Sequence, residues 1–117
     1  MLQENCAICD YGGGGALVAD KGSRLSVRKC EVYRNHQAGL EAREGGELTA
    51  SGNRIFDGGF HGTLIGPDAR ECGIDGNEIF ENAREGILAV KNETKIVIGN
   101  NHIHHNRAFG LSLDFNS

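Results

Sequence analysis

The chain has 117 residues, a length typical of one small domain. Its net charge of -4, from 12 Lys and Arg against 16 Asp and Glu, argues against nucleic-acid binding, because phosphate recognition requires a clustered basic face. No apolar run reaches the length of about 18 residues that a membrane span requires, and the opening segment MLQENCAICD lacks the basic lead and apolar core of a secretory signal.

A glycine recurs along the chain at intervals of 23 or 24 residues. It closes five related segments, which read NCAICDYGGGG, KCEVYRNHQAG, GNRIFDGGFHG, GNEIFENAREG and NNHIHHNRAFG. These glycines are Gly15, Gly39, Gly62, Gly86 and Gly110. The spacing predicts five copies of one unit, the last of them incomplete, with approximate bounds 5–28, 29–51, 52–75, 76–99 and 100–117.

Each unit contains three short segments whose apolar residues alternate with period two, which predicts strands and not helices. The first strand centres on an inward column formed by Ile8, Val32, Ile55, Ile79 and Ile103. The second strand follows the glycine and points its first and third residues inward, as at Ile87 and Ala89. The third strand ends the unit with inward pairs, namely Leu25 and Val27, Leu48 and Ala50, Cys72 and Ile74, and Ile96 and Ile98.

The strict repeat pairs each strand with its copy in the next unit. We therefore predict an all-β, right-handed parallel β-helix of about five rungs of 23–24 residues, with three short parallel strands per rung. The open rungs at both ends favour a fragment of a longer protein, and they also allow end-to-end or side-by-side association of chains.

Asparagines recur at two corners of the predicted coil. One ladder contains Asn53, Asn77 and Asn101, and the other contains Asn35, Asn82 and Asn106. We expect both to be structural, because Asn tolerates the left-handed conformation and its amide can bond to the neighbouring rungs. Cys6 and Cys30 share the inward column of the first ladder, one rung apart. That separation permits a disulfide, although buried thiols are the more common outcome and are what we expect. Four cysteines without a disulfide framework favour a reducing compartment, the cytoplasm or the nucleus.

The consensus GN-x-I-x-x-N-x-x-x-G-I/L, clearest from Gly76 to Leu88, resembles the parallel β-helix repeats of the carbohydrate-binding and sugar-hydrolase superfamily. The segments GNRIFDGG, GNEIFENAREGILAV and NHIHHNRAFGL are most similar to the β-helix domain of F-box-only proteins and their SHC-binding relatives. This resemblance covers nearly the whole chain and implies a substrate-recognition domain of a cullin-type ubiquitin ligase. The Asp-Pro-His-Glu motif of the epimerases in that superfamily is absent from the sequence.

Three outward columns contain residues that could perform chemistry. The column Ala7, Glu31, Arg54, Glu78, His102 predicts a ladder of alternating charge. Tyr33, Phe56 and Phe80 form an aromatic column, either a platform for a sugar ring or packing that closes a corner. Asp57, Glu81 and His105 form a candidate catalytic column, because paired carboxylates and a carboxylate beside an imidazole are the groups of acid–base chemistry. An ion pair of Arg34 with Asp57 is the plainer interpretation of that column.

Two groups of residues have the types and spacing of metal ligands. His102 and His104 share a face beside Glu78 and are candidate ligands, although we expect no zinc site tighter than micromolar. Cys6 and Cys9 have the spacing of a metal or redox pair, but no second pair follows, so zinc is not expected. The sequence therefore predicts no cofactor.

The second strand presents outward residues that are apolar where the surface should be wet. Leu64, Leu88 and Val90 form this patch, and such patches mark partner surfaces. A flanking segment of a longer protein could equally cover it. We therefore predict a non-enzymatic module that binds a protein partner, without nucleic acid or membrane. The alternative is a carbohydrate-binding or carbohydrate-active β-helix.

Overall fold

In the computed structural model, residues 1–90 and 95–114 are described, and they form fifteen β-strands and no helix. The end of the last predicted rung, residues 115–117, lies outside the described residues. The strands are β1 (Leu2–Glu4), β2 (Ala7–Cys9), β3 (Ala16–Val18), β4 (Arg24–Arg28), β5 (Glu31–Tyr33), β6 (Leu40–Ala42), β7 (Glu47–Ser51), β8 (Arg54–Phe56), β9 (Thr63–Ile65), β10 (Cys72–Asp75), β11 (Glu78–Phe80), β12 (Ile87–Val90), β13 (Ile96–Gly99), β14 (His102–His104) and β15 (Leu111–Asp114).

The strands form three parallel sheets in which every third strand is a neighbour. Sheet A has the order β1-β4-β7-β10-β13, sheet B has β2-β5-β8-β11-β14, and sheet C has β3-β6-β9-β12-β15. In sheet B, Ile79 pairs with Ile55 on one side and with Ile103 on the other. This arrangement confirms the predicted all-β solenoid with three short parallel strands per rung.

The core fills the space between the three sheets. Each sheet contributes inward side chains that are fully buried, such as Ile74 from sheet A, Ile79 from sheet B and Ile87 from sheet C. Stacking identical positions of successive coils joins these side chains into one continuous apolar cluster. No single coil could bury such a surface alone.

Strand β1 was absent from the predicted elements, which began the first coil at residue 5. It pairs with β4, and its middle residue Gln3 lies opposite the buried Val27. A polar residue at the inward position interrupts the apolar alternation, while the apolar Leu2 of the same strand is exposed. The strand therefore follows from pairing with its neighbour and not from its own pattern.

The prediction that the ladder asparagines themselves adopt the left-handed conformation was wrong. At both corners the left-handed residue is the one before the asparagine, as in Gly76 (φ 68°) before Asn77 and Glu81 (φ 56°) before Asn82. That residue turns the chain, and the asparagine after it directs its amide into the stack. A non-glycine residue in this conformation costs about 1–2 kcal/mol, which the hydrogen bonds of the following amide offset.

The asparagine side chains bond to the coils on both sides. Asn53 donates from Nδ2 to the carbonyl oxygen of Val27 (2.9 Å) and to Oδ1 of Asn77 (2.9 Å), whose Oδ1 also accepts from the Asn53 backbone amide (2.9 Å). At the other corner, Asn82 donates to the carbonyl oxygen of Ile55 and to Oδ1 of Asn106. Each buried amide group thus connects three successive coils.

Candidate functional site

The outer face of sheet B carries a ladder of charged side chains. Arg54 lies between two carboxylates, 3.2 Å from Glu31 and 3.2 Å from Oε1 of Glu78. This is the predicted alternation of sign along one outward column. Such half-exposed pairs contribute little stability, because water and salt screen the charges. Their effect here is to hold the Glu78 carboxylate in one position.

Next to the charged ladder, the aromatic column is a continuous stack. The ring centroids of Tyr33, Phe56, Phe80 and His104 are each 5.0 Å from the next, with interplanar angles of 14° or less. The Arg54 guanidinium lies 5.2 Å from the centroids of Phe56 and Phe80. Because each ring covers the face of its neighbour, a sugar ring would meet only the edges. This geometry favours the packing interpretation over the sugar platform.

The three candidate catalytic residues line one groove at the corner after sheet B. The groove has a volume of about 670 Å³ and is lined by Asp57, Gly58, Glu81, Ala83, His105 and Arg107. Asp57, Glu81 and His105 all have left-handed backbones, with φ of 51°, 56° and 56°. The sequence placed these three in one column but missed Arg107, which comes from the following turn, where no periodicity exists.

The expected ion pair of Arg34 with Asp57 gives way to one with Asp10. The Arg34 guanidinium binds Asp10 in a bidentate manner, with Nε to Oδ1 at 2.8 Å and Nη2 to Oδ2 at 3.1 Å. This hydrogen bonding lowers the pKa of Asp10. Arg34 therefore binds the carboxylate of the preceding coil, Asp10, and not Asp57, which lines the groove.

Three potential metal ligands come together on sheet B. Glu78 pairs with His102 across the sheet, and His104 lies diagonally beside it, with Nε2 2.9 Å from Oε2 of Glu78. The rings of His102 and His104 have centroids 4.4 Å apart, and one ligand atom from each of the three residues lies within 4.8 Å of the others. The pKa of Glu78 is lowered first by its hydrogen bond with His104 and then by Arg54.

The two cysteines of the Cys-x-x-Cys segment have different surroundings. Cys6 is part of the inward column, where its Sγ lies 2.9 Å from Sγ of Cys30, and both thiols are free. The hydrogen bond with Cys30, followed by burial and by the charge of Cys30, raises the pKa of Cys6 to about 11. At neutral pH Cys6 is therefore a thiol, the unreactive form. Cys9 is half-buried beside Tyr33, and a side-chain hydrogen bond between the two residues raises the pKa of Tyr33.

The predicted apolar patch lies on the outer face of sheet C. Leu64 pairs with Leu88, and Val90 lies two residues further along β12 on the same face. All three side chains are half-buried. The residues that alternate with them along the strands, such as Ile65 and Ala89, point inward and are fully buried.

A buried polar pair lies in the turn before sheet C, and the sequence did not indicate it. His61 Nδ1 is 3.1 Å from Oε1 of Glu85, although the two atoms do not form an aligned hydrogen bond. His61 is only 3% exposed and contacts the Phe60 ring, while Arg84 lies 4.0 Å from Glu85. Burial lowers the pKa of His61 below its ordinary value of 6.5, against the attraction of Glu85.

This pair predicts acid sensitivity. Because the pKa of His61 is lower in the folded chain, the unfolded chain binds more protons below pH 6.5, so the free energy of unfolding falls as the pH drops through that range. We expect His61→Gln to make this decline smaller, whereas His36→Gln at an exposed position leaves it unchanged. Urea unfolding followed by circular dichroism between about pH 5 and pH 8 measures the difference. Equal declines in wild type and His61→Gln would contradict the assignment.

The comparisons with known proteins agree with this architecture. A family model described as a right handed beta helix region matches residues 2–117, which confirms the predicted hand of the coil. No curated protein and no solved structure matches the chain. The described residues contain no helix capable of crossing a membrane.

Proposed function

We propose that this chain, which belongs to the right-handed β-helix family, is a non-enzymatic module. It binds a protein partner through the outer face of sheet C. The observation that supports this proposal is the apolar patch of Leu64, Leu88 and Val90 on a sheet face that points away from the core. Contiguous apolar side chains on such a face are typical of partner surfaces.

The surroundings of the patch suit an interface. Glu41 lies beside Leu64 in the neighbouring strand, and it forms an ion pair with Arg43 at 3.8 Å. A polar rim around an apolar centre is the usual composition of a protein interface. The face is built from the short parallel strands β6, β9 and β12, which are neighbours in sheet C.

The carbohydrate alternative has less support. A saccharide site needs exposed aromatic faces, and the faces of Phe56 and Phe80 are covered by each other and by Arg54. The groove at Asp57 and Glu81 supplies carboxylates for polar contacts, and it is the feature that keeps this alternative testable. The proposed protein partner would instead contact the outer face of sheet C, at Leu64, Leu88 and Val90.

The resemblance of the segments GNRIFDGG, GNEIFENAREGILAV and NHIHHNRAFGL to the F-box-only branch supports a narrower proposal, in which the partner is a substrate of a ubiquitin ligase. That role requires an F-box in a longer parent protein. The four free thiols support a reducing compartment, the cytoplasm or the nucleus, as the place of action.

Replacing the centre of the patch tests the proposal. We expect the double variant Leu64→Lys and Leu88→Lys to weaken partner binding at least about 30-fold, because loss of even one buried interface anchor costs about 2 kcal/mol or more. Proximity labelling with the full-length protein identifies the partners, and titration of the strongest one gives the affinity. The matched control is Thr49→Lys, an exposed residue in the middle of β7 on sheet A.

Circular dichroism and thermal unfolding establish that the double variant keeps the fold of the wild type. Unchanged partners and affinities in a folded double variant would refute the proposed surface. Equal losses in the double variant and in Thr49→Lys would also count against it, since they would show a general effect of added charge.

A further inference from the structure

We propose that Glu78, His102 and His104 form a binding site for a divalent transition-metal ion of the zinc class on the outer face of sheet B. This site is separate from the proposed partner surface, which lies on sheet C. The sequence indicated the two histidines beside Glu78 as candidate ligands but predicted no tight site, and the structure brings one ligand atom from each of the three residues within 4.8 Å of the others.

The pairing of β11 with β14 determines the position of the ligands. Glu78 and His102 are directly opposite each other, and Phe80 is opposite His104, so all three ligands are on one face at neighbouring positions. The 2.9 Å between Nε2 of His104 and Oε2 of Glu78 is a few tenths of an ångström shorter than the distance of about 3.3–3.4 Å between two ligands of a tetrahedral ion at bond lengths of about 2.0–2.1 Å, so a small separation of the two groups admits the ion. His102 is exposed, and one of its ring nitrogens lies within 4.8 Å of a ligand atom of each of the other two residues.

Each buried or half-buried ligand is held by a second contact. The Glu78 carboxylate keeps Oε1 on Arg54 at 3.2 Å, which leaves Oε2 for the ion. The His104 ring is stacked on Phe80 at 5.0 Å with an interplanar angle of 3°, so its plane is fixed. Nδ1 of His104 lies 2.7 Å from Nδ1 of His105. Such outer contacts orient metal ligands and set the tautomer of the imidazole.

Metal binding requires Nε2 of His104 to be free of a proton, because an imidazole coordinates an ion through an unprotonated nitrogen. The proton of the neutral ring then lies on Nδ1, which is 2.7 Å from Nδ1 of His105.

The ligand set defines the class of ion. Two imidazoles with one carboxylate suit zinc, cobalt and nickel, whereas magnesium and calcium prefer oxygen ligands alone. Three protein ligands leave a further coordination position for water or another small molecule. The site adjoins the groove, because His105 both contacts His104 and lines the groove.

Titration with zinc chloride tests the site. Calorimetry of the wild type is expected to show one ion per chain, and NMR of the imidazole nitrogens to show shifts for His102 and His104 but not for the exposed His36. His102→Ala, at an exposed position, is expected to weaken binding by more than the roughly 10- to 100-fold that loss of an outer contact costs. Glu78→Gln is expected to weaken binding to a similar extent, and His36→Ala to leave it unchanged.

Two results would overturn the proposal. One is the absence of zinc binding in the wild type. The other is unaltered affinity in a folded His102→Ala or Glu78→Gln variant, which would show that the ion binds elsewhere on the chain.

Discussion

Gly62→Ala is expected to lower the free energy of unfolding by about 3 kcal/mol or more. A Cβ atom at this position would lie 2.6 Å from the carbonyl oxygen of Gly86 and 2.7 Å from Cγ2 of Ile79. The neighbouring coil cannot move away without stretching two hydrogen bonds, from the Gly62 amide to Glu85 (3.0 Å) and from the Thr63 amide to Gly86 (2.9 Å). Overpacking alone costs about 1–3 kcal/mol, and the strained hydrogen bonds add to that cost.

Gly73→Ala is the matched control for this substitution. Gly73 lies in β10 on the outer face of sheet A, and a Cβ atom there would meet nothing within 4 Å. Alanine also restricts the unfolded chain, so we expect stability to stay level or to rise slightly. Guanidinium unfolding followed by circular dichroism gives both values. Equal stability of the two variants would contradict the close approach of the coils at Gly62.

The same contact recurs along the column of glycines from which the repeat was deduced. A Cβ at Gly39 would lie 2.7 Å from the carbonyl oxygen of Gly62, and one at Gly86 would lie 2.7 Å from that of Gly110. At each of these positions the chain enters sheet C and passes directly over the backbone of the next coil. The periodicity of glycine in the sequence therefore has a steric cause, and for this reason it predicted the register of the strands correctly.

The sequence predicted the fold well because pairing, side-chain direction and repeat length agree with one another. The period of two placed residues such as Val32 and Ile87 in the core, and both are fully buried. Strand β1 was not predicted, because the polar residue Gln3 occupies its inward position and interrupts the apolar alternation. The conformation of the corners was also misjudged, since side-chain identity alone does not show whether the asparagine or the residue before it makes the turn.

The functional candidates were only partly predictable. Outward columns follow from the register, so the stack of aromatic rings and the neighbouring positions of Glu78 and His102 could be deduced. The contact of His104 with Glu78 runs diagonally and depends on side-chain rotamers, which the sequence does not define. The pair of His61 and Glu85 lies in turns, where no alternation indicates which side chains are buried.

The two proposed binding sites lie on different sheets. Sheet B carries charged, aromatic and imidazole groups, whereas the outer face of sheet C presents Leu64, Leu88 and Val90. A change on one face should not affect the other, because substitutions that share no contacts have additive effects. Loss of partner binding in the leucine variants and loss of zinc binding in His102→Ala are therefore separate results, and either proposal can fail alone.

Asn77→Ala is expected to cost about 4 kcal/mol, a large part of the 5–15 kcal/mol that holds a domain of this size together. Asn77 is 2% exposed, donates to the carbonyl oxygen of Ala50 (3.0 Å) and accepts from the backbone and side-chain amides of Asn53 (2.9 Å each). Alanine leaves these buried groups unpaired, at about 1–3 kcal/mol each. Asn101→Ala, in the same column but half-buried, should cost less, because water can replace the lost amide. Urea unfolding of both variants measures the difference, and a loss below about 1 kcal/mol at Asn77 would show that the ladder does not hold the coils together.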